Sequence, residues 1–345
     1  MTALSLAALC AAALAMSWVL TLAVRGYALR SQLLDQPNAR SSHTQPTPRG
    51  GGLAIVVTFV PLLGVLASLG LVPGRLALAV GGAATLVAVI GFIDDRRGLS
   101  ARLRFLGHSA AALWLLWLLG AMPPVPVFGA LLPLGLFGSV LAAVYIVWST
   151  NFYNFMDGID GIASMQAVTV ALAGSLVSAL AGVADALAIG WLLAACVGGF
   201  MAWNFPRARI FMGDAGSGFL GLVMAALALW HGYRLPALFW AWFILNGCFM
   251  VDATTTLVRR VRRGERFHEA HRSHAYQYAA RRWGSHVPVT LAVGAINLAW
   301  LLPIAAAVAL GRIDGAAGMV LAYAPLLALA FHLRAGDRVA QGSGA

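Results

Sequence analysis

The sequence of 345 residues contains no lysine, and only 10% of it is charged. Soluble globular proteins carry about 25% charged residues, whereas 61% of this chain is Ala, Val, Ile, Leu, Met, Phe, Trp, Tyr or Cys. Charge this sparse excludes an ordinary soluble domain and requires much of the surface to face lipid. Cysteine is scarce as well. Cys10, Cys196 and Cys248 each lie inside an apolar run, without the paired spacing of a disulfide framework or metal site, and read as small core hydrophobes. Acids number 12 against 23 basic residues, all arginine, for a net charge of +11. A carboxylate inside a bilayer is costly and usually functional, so each acid has to be accounted for. The N-terminus lacks the basic region of a signal peptide, and its apolar stretch from about 3 to 24 is as long as a bilayer crossing. It is expected to stay as a first helix.

Windows of about 20 apolar residues mark membrane spans. They fall near 3–24, 51–71, 76–93, 106–122, 126–147, 161–181, 185–203, 215–231, 236–257, 287–310 and 316–333. The expected fold is therefore all-α: a single polytopic membrane helix bundle over 1–345 with about eleven transmembrane helices. Alternate loops, near 25–50, 94–105, 148–160, 204–214 and 258–286, together with the C-terminal tail, hold 20 arginines. The opposite set holds three, Arg75, Arg234 and Arg312. Because cytoplasmic loops carry the positive excess, this partition predicts the N-terminus outside and the C-terminus in the cytoplasm. The acids sort the same way, with only Asp185 and Asp314 in outer loops.

Five inner segments carry the polar chemistry. The first runs from Asp35 through Arg49 to Gly50, Gly51 and Gly52 at a helix start. Glycine N–H groups beside Arg49 suit an anion, while a positive-inside loop with a flexible hinge explains the same residues. The second opens with Asp94 and Asp95, which call for a nearby cation: Arg96, Arg97, Arg102 and Arg104, or a metal-bound phosphate. In the third, Asn151, Asn154 and Asp157 are spaced by three and, if helical, offer oxygens on one face to a hard cation. Its two aspartates, Asp157 and Asp160, have no arginine in their own loop, so a metal ion or ligand donor is expected; a polar packing network between helices is the alternative. In the fourth, which begins at Asn204, Asp214 stands between glycines as a helix N-cap or a metal ligand, and the preceding segment favours the metal role. The fifth contains His268, His271 and His274, which on a helix would fan apart rather than stack. Zinc is weakly supported there. Phosphate binding by His271, Arg272 and His274 competes with arginines that simply face anionic lipid. Hard-cation ligands beside phosphate-binding groups on one face point to cytoplasmic phosphoryl transfer, and a lipid-buried body to a lipid phosphate as one substrate.

These motifs resemble the polyprenyl-phosphate N-acetylhexosamine-1-phosphate transferases, glycosyltransferase family 4, over nearly the whole chain. The matching stretches are DQPNARSSHTQPTPRGGG at Asp35–Gly52, GFIDD at Gly91–Asp95, NFYNFMDGIDG at Asn151–Gly161, FMGDAGS at Phe211–Ser217 and HRSH at His271–His274. The resemblance implies Mg²⁺-dependent transfer (Mn²⁺ is the other candidate) of a sugar 1-phosphate from a UDP-sugar to undecaprenyl phosphate, with release of UMP. It further implies Asn154 and Asp214 as metal ligands, Phe211 stacked on uracil and Asn204 near the nucleotide. Asp94 and Asp95 match the pair at the lipid phosphate, and Asp157 and Asp160 match positions lining the nucleotide and metal. Arg49, Arg104, His271 and His274 face phosphates or sugar, with Asn151 and Arg272 among the substrate contacts. The implied setting is the bacterial inner membrane, with no nucleic-acid partner, and small-residue helix faces compatible with a homodimer.

Departures also carry meaning. Other branches often place Lys where Ser41 stands and Gln where His108 stands, so phosphate contacts made elsewhere by Lys fall here to Arg. The absence of a run of three histidines argues against the peptidoglycan branch. HRSHAYQ and NFYNFMDGIDG are most similar to the branch that starts lipopolysaccharide O-antigen chains. Two other classes compete. A transporter or flippase for lipid-linked sugars would use Asn246 and Asp252 as an intramembrane path. A CDP-alcohol phosphotransferase would need a DGxxAR and GxxxDxxxD arrangement that the chain lacks.

Overall fold

The computed structural model describes residues 3–37, 45–183, 186–265 and 271–338. They form a helical bundle in chain order: α1 (Ala3–Arg30), α2 (Gly52–Ser68), α3 (Gly74–Arg97), α4 (Ala101–Leu119), α5 (Gly135–Phe155), α6 (Ile162–Leu180), α7 (Ala186–Asn204) and α8 (Asp214–Arg234). Then come α9 (Pro236–Leu245), α10 (Gly247–Arg262), the short α11 (Ala275–Trp283), α12 (Val287–Ile296), α13 (Leu302–Ala309) and α14 (Gly315–His332). A π-helical turn over Asn297–Leu301 joins α12 to α13. Strand pairs are confined to β1 (Leu34–Asp35) with β2 (Thr47–Pro48) and β3 (Val125–Val127) with β4 (Ala130–Leu132).

All eleven expected segments are helical, with differences in detail. Among the described residues, eight helices are long and apolar enough to cross a membrane, or nine if the bent pair α9 and α10 counts as one span. The remaining two expected spans correspond to α2, a shorter apolar helix of 17 residues, and α4, whose first turns carry Arg102, Arg104 and His108. The span expected at 236–257 is broken at Asn246 by 69°. Buried Asn246 satisfies the break internally: Nδ2 donates to Trp242 O and Oδ1 accepts from Tyr153 Oη, as an interrupted helix at membrane depth requires. The segment expected to be helical from 126 begins instead as a hairpin. Phe128 and Gly129 both take positive φ, the backbone of a two-residue type I′ turn, and Trp240 Nε1 donates to Pro126 O. The cysteines are free, and Cys196 is buried, as expected.

Helix α8 is the central post, with 94% of its apolar window buried, against 17% for α1 and 28% for α14 at the margin. It packs on α2, α3, α5 and α9. Small residues permit this closeness. A Cβ on Gly52 would run into the Gly216 backbone, and one on Gly221 into the Ser149 carbonyl. The start of α8, where Asp214 lies, is thereby clamped between α2 and α5.

Candidate active site

Four of the five inner segments meet around the first turn of α8. Strand β2 and the glycine run lie against the 211–212 backbone: Phe211 N donates to Pro48 O, Gly51 N to Phe211 O and Gly52 N to Met212 O. Two N–H groups suited to an anion are therefore taken by protein carbonyls. The glycines serve close packing against α8, and the anion-cradle reading of Gly51 and Gly52 gives way. Arg49, projecting from the same segment, places Nε 2.7 Å from Asp95 Oδ1 and Nη2 2.6 Å from Asp214 Oδ1.

Asp94 and Asp95 are adjacent in sequence but face different surroundings, as residues about 100° apart on a helix must. Asp95, whose side chain is 0% exposed, accepts from Asp214 N at 3.0 Å and Ala215 N at 3.3 Å. It thus caps α8 in place of Asp214, and its cation is Arg49 rather than any arginine of its own loop. Asp94 accepts from Leu99 N and pairs with Arg104 at 2.9 Å. Asp214 is the first residue of α8, whose N-cap position is held by Gly213. Its Oδ1 accepts from Arg49 and, at 2.9 Å, from Asn154 Nδ2, which also donates to Ser217 Oγ at 3.1 Å.

The asparagine face is realised on α5, where Asn151 and Asn154 occupy the last turns; Asn151 Nδ2 donates to Val147 O and lies 3.4 Å from His108 Nδ1. Helix α5 ends at Phe155, so Asp157 sits beyond it, and the shared helical face stops at Asn154. Asp157 keeps some surface in solvent. Burial among packed groups pushes its carboxyl well above the ordinary carboxylate range; Arg49 opposes this, and Asp214, Asp95 and Asp160 reinforce it. Asp160 turns toward α12: its Oδ2 lies 3.3 Å from His286 Nδ1 and its carbonyl accepts from Thr290 Oγ1. Asn204 acts as a staple. It accepts from Gly161 N and donates to Ile210 O, 3.0 Å each, tying the third segment to the fourth. Phe211 is partly exposed beside it.

The histidine segment packs against the rear of the third segment. Tyr276 Oη donates to Phe155 O at 3.1 Å, and a Cβ on Gly158 would strike Tyr276 Oη. His271 and His274 precede α11 and do stack, with ring centroids 4.8 Å apart, because residues 271–274 are not helical. His268 and Arg266 lie outside the described residues. Arg272 uses its carbonyl to accept from Arg281. The arginine run has partners of its own: Arg259 with Asp337, and Arg260 and Arg263 with Glu265. Those hydrogen bonds hold the Glu265 carboxyl below its ordinary range.

Beside the carboxylates, a cavity of about 540 Å³ opens between α3, α4 and α5. Asp94, Arg104, His108, Asn151, Asn154 and Asp214 line one part of it, and Ala112, Leu113, Ala143, Val144, Val147 and Trp148 another. Leu113 and Val144 are exposed on the outer surface of the bundle, so the apolar part is open to lipid. Asp95 does not line it. Ser217 and His286 carry no sequence signal of their own, and His108 stands out only as a departure from other branches. Asp252 reads in sequence only as a transporter residue, although a lone acid in an apolar run is a signal in itself.

The donor chemistry fits a hard cation. Asp214 and Asn154 offer oxygen ligands, and among the described residues no three His, Cys, Asp or Glu side chains form a self-sufficient metal group. Mg²⁺ is usually bound through one or two carboxylates, with substrate phosphate and water completing its shell.

Residues 77–232 match the family model described as "Glycosyl transferase family 4". The chain is 34% identical over 248 residues to the "Probable undecaprenyl-phosphate N-acetylglucosaminyl 1-phosphate transferase" of Bacillus subtilis (strain 168), covering 70% of this chain and 68% of that protein. It is 31% identical over 302 residues to the "Decaprenyl-phosphate N-acetylglucosaminephosphotransferase" of Mycobacterium tuberculosis H37Rv (78% and 74%). Identity is 36% over 220 residues to the "Phospho-N-acetylmuramoyl-pentapeptide-transferase" of Moorella thermoacetica (57% and 68%).

Proposed function

The chain belongs to glycosyl transferase family 4, the polyprenyl-phosphate hexosamine-1-phosphate transferases, and on that premise we propose that it transfers a sugar 1-phosphate from a UDP-N-acetylhexosamine-type donor to undecaprenyl phosphate, releasing UMP. Family membership carries the coarser statement, a multi-pass membrane transferase acting with a polyprenyl phosphate. The observation that supports the finer one is the two-part cavity. Its apolar walls suit a prenyl chain, and its polar part offers Arg104 to a phosphate beside Asp214 and Asn154, with Arg49 bound to Asp214 from behind.

Arg104, oriented by Asp94, holds the lipid phosphate. A phosphate monoester has a second pKa of about 6, so the attacking oxygen is largely ionised near neutrality. Asp94 then serves to fix Arg104 rather than to remove a proton. Asp214 and Asn154 would hold Mg²⁺ or Mn²⁺, which would supply charge neutralisation at the donor diphosphate. Arg49 keeps Asp214 in place and shares that neutralisation. Phe211 offers a ring to the uracil, Asn204 keeps the nucleotide loops together, and Asp157, Asp160 and His286 set the loop between them. His271, Arg272 and His274 approach the donor phosphates or sugar.

The arginine partition supports a cytoplasmic site in a bacterial inner membrane, with the N-terminus outside. The HRSHAYQ and NFYNFMDGIDG forms favour initiation of O-antigen or a related envelope glycan. Purified protein is expected to release UMP only when undecaprenyl phosphate, a UDP-N-acetylhexosamine and Mg²⁺ are all present, with Asp214→Ala inactive. If Asp214→Ala retains the activity, the metal assignment fails.

A further inference from the structure

Asp252 lies in α10, six residues beyond the break at Asn246, and is 6% exposed. It collects four hydrogen bonds. Oδ1 accepts from His274 Nδ1 at 3.2 Å, Ala275 N at 3.0 Å and Thr256 Oγ1 at 3.1 Å, and Oδ2 accepts from Tyr276 N at 3.0 Å. Three of the four donors are His274, the residue before α11, and Ala275 and Tyr276, the first two residues of α11. His274 also closes a capping box with Gln277: its N–H donates to Gln277 Oε1, and the Gln277 N–H faces the His274 ring, where it competes with the charged, and therefore stronger, partner Asp252. Its side chain is 3% exposed and lies between the rings of His271 and Tyr276.

We infer that Asp252 is a positioning residue for the transferase. It fixes the proton of His274 on Nδ1 and the plane of the ring, so that Nε2 is the nitrogen left to meet the substrate. The inference rests on the transferase reading above. A carboxylate oxygen only accepts, so the imidazole nitrogen facing it carries hydrogen, and the tautomer is set by that partner. The same carboxylate caps the helix that begins one residue later, which makes ring orientation and backbone placement a single event. Tyr276, on that first turn, reaches Phe155 O, so the orientation is referred directly to the asparagine and aspartate segment. A lone acid in an apolar helix thus has a use without a transport path.

The test compares Asp252→Asn, His274→Gln and the double variant, assayed by UMP release at saturating substrates. An asparagine amide presented to Nδ1 donates to it and moves the ring proton to Nε2. Loss of an orienting partner typically costs about 10- to 100-fold, so Asp252→Asn is expected to lower kcat by that factor while KM for the UDP-sugar stays within about threefold. In the His274→Gln background the same change is expected to cost nothing further. A wild-type kcat for Asp252→Asn, or losses that multiply independently, overturns the inference. Should Asp252→Asn fail to fold, ¹⁵N-histidine NMR of the wild-type protein, with the His274 signal assigned by its loss in His274→Gln, decides instead. The inference requires the proton on Nδ1, and a proton on Nε2 alone refutes it. Absence of UMP release from wild-type protein refutes the transferase reading and leaves the NMR arm standing.

Discussion

Arg49 is the hinge of the site's electrostatics, and replacing it exposes what the surrounding carboxylates cost. Its guanidinium spans Asp95 at 2.7 Å and Asp214 at 2.6 Å through different nitrogens. Arg49→Gln leaves Asp95, with a side chain 0% exposed, without a cation. Breaking a buried ion pair from one side costs about 3 to 5 kcal/mol. The lower end applies here, because the Arg49 side chain is 32% exposed and Asp95 still accepts two N–H groups from α8. At about 2 °C per kcal/mol for a large chain, the melting temperature in detergent should fall by about 6 °C. The informative partner is Arg49→Gln with Asp95→Asn. The uncompensated charge is then gone, while the amide oxygen still accepts from Asp214 N, so about half or more of the loss should return. Thermal denaturation followed by tryptophan fluorescence reads both values. If Arg49→Gln melts like wild type, or the second change adds to the damage, Arg49 does not neutralise Asp95.

Asp157 provides a pH test. Its carboxyl is raised in the folded protein, so its contribution to stability is full below the unfolded value of about 3.9 and is lost as pH rises through the folded value. Asp157→Asn should therefore melt progressively higher than wild type as pH increases above about 4, while its UMP release falls. A melting difference independent of pH refutes the raised carboxyl. Ala143→Trp fills the apolar part of the cavity and should raise KM for undecaprenyl phosphate by about tenfold, roughly the loss of one well-packed apolar contact, with KM for the UDP-sugar unchanged. Equal effects on both substrates place the lipid elsewhere. Asn204→Ala removes the acceptor of Gly161 N and the donor to Ile210 O. It should lower stability by about 1 to 3 kcal/mol and weaken UDP-sugar binding more than lipid binding, and the reverse order would show that the staple does not serve the nucleotide loops.

Much of this arrangement is legible in the sequence, because membrane spans are long apolar runs and the acids that remain are few. Asp94, Asp95, Asp157 and Asp214 stand out on that ground alone, and the structure gathers them with Arg49, which an arginine tally places on the same side. Pairing is what local pattern cannot supply. Arg49 and Asp214 are 165 residues apart, and nothing near either one names the other. The division of Asp94 from Asp95 depends on helix rotation relative to α8, a packing property. The break at Asn246 looks apolar in sequence because one asparagine scarcely changes a window average, yet that side chain satisfies the interrupted backbone. The turn at Phe128 and Gly129 was hidden by the apolar composition of β3 and β4. Asp252 is visible as an isolated acid, but three of its four partners lie at the start of α11, across a loop of uneven composition.

In the proposed reaction a phosphosugar, not a sugar, crosses to the lipid. The most direct measurement supplies UDP-N-acetylglucosamine or a 6-deoxy analogue with undecaprenyl phosphate and Mg²⁺, then quantifies nucleotide and lipid products by mass spectrometry. UMP and undecaprenyl-diphosphate-sugar in equal amounts are predicted. UDP with an undecaprenyl-monophosphate-sugar would contradict the account.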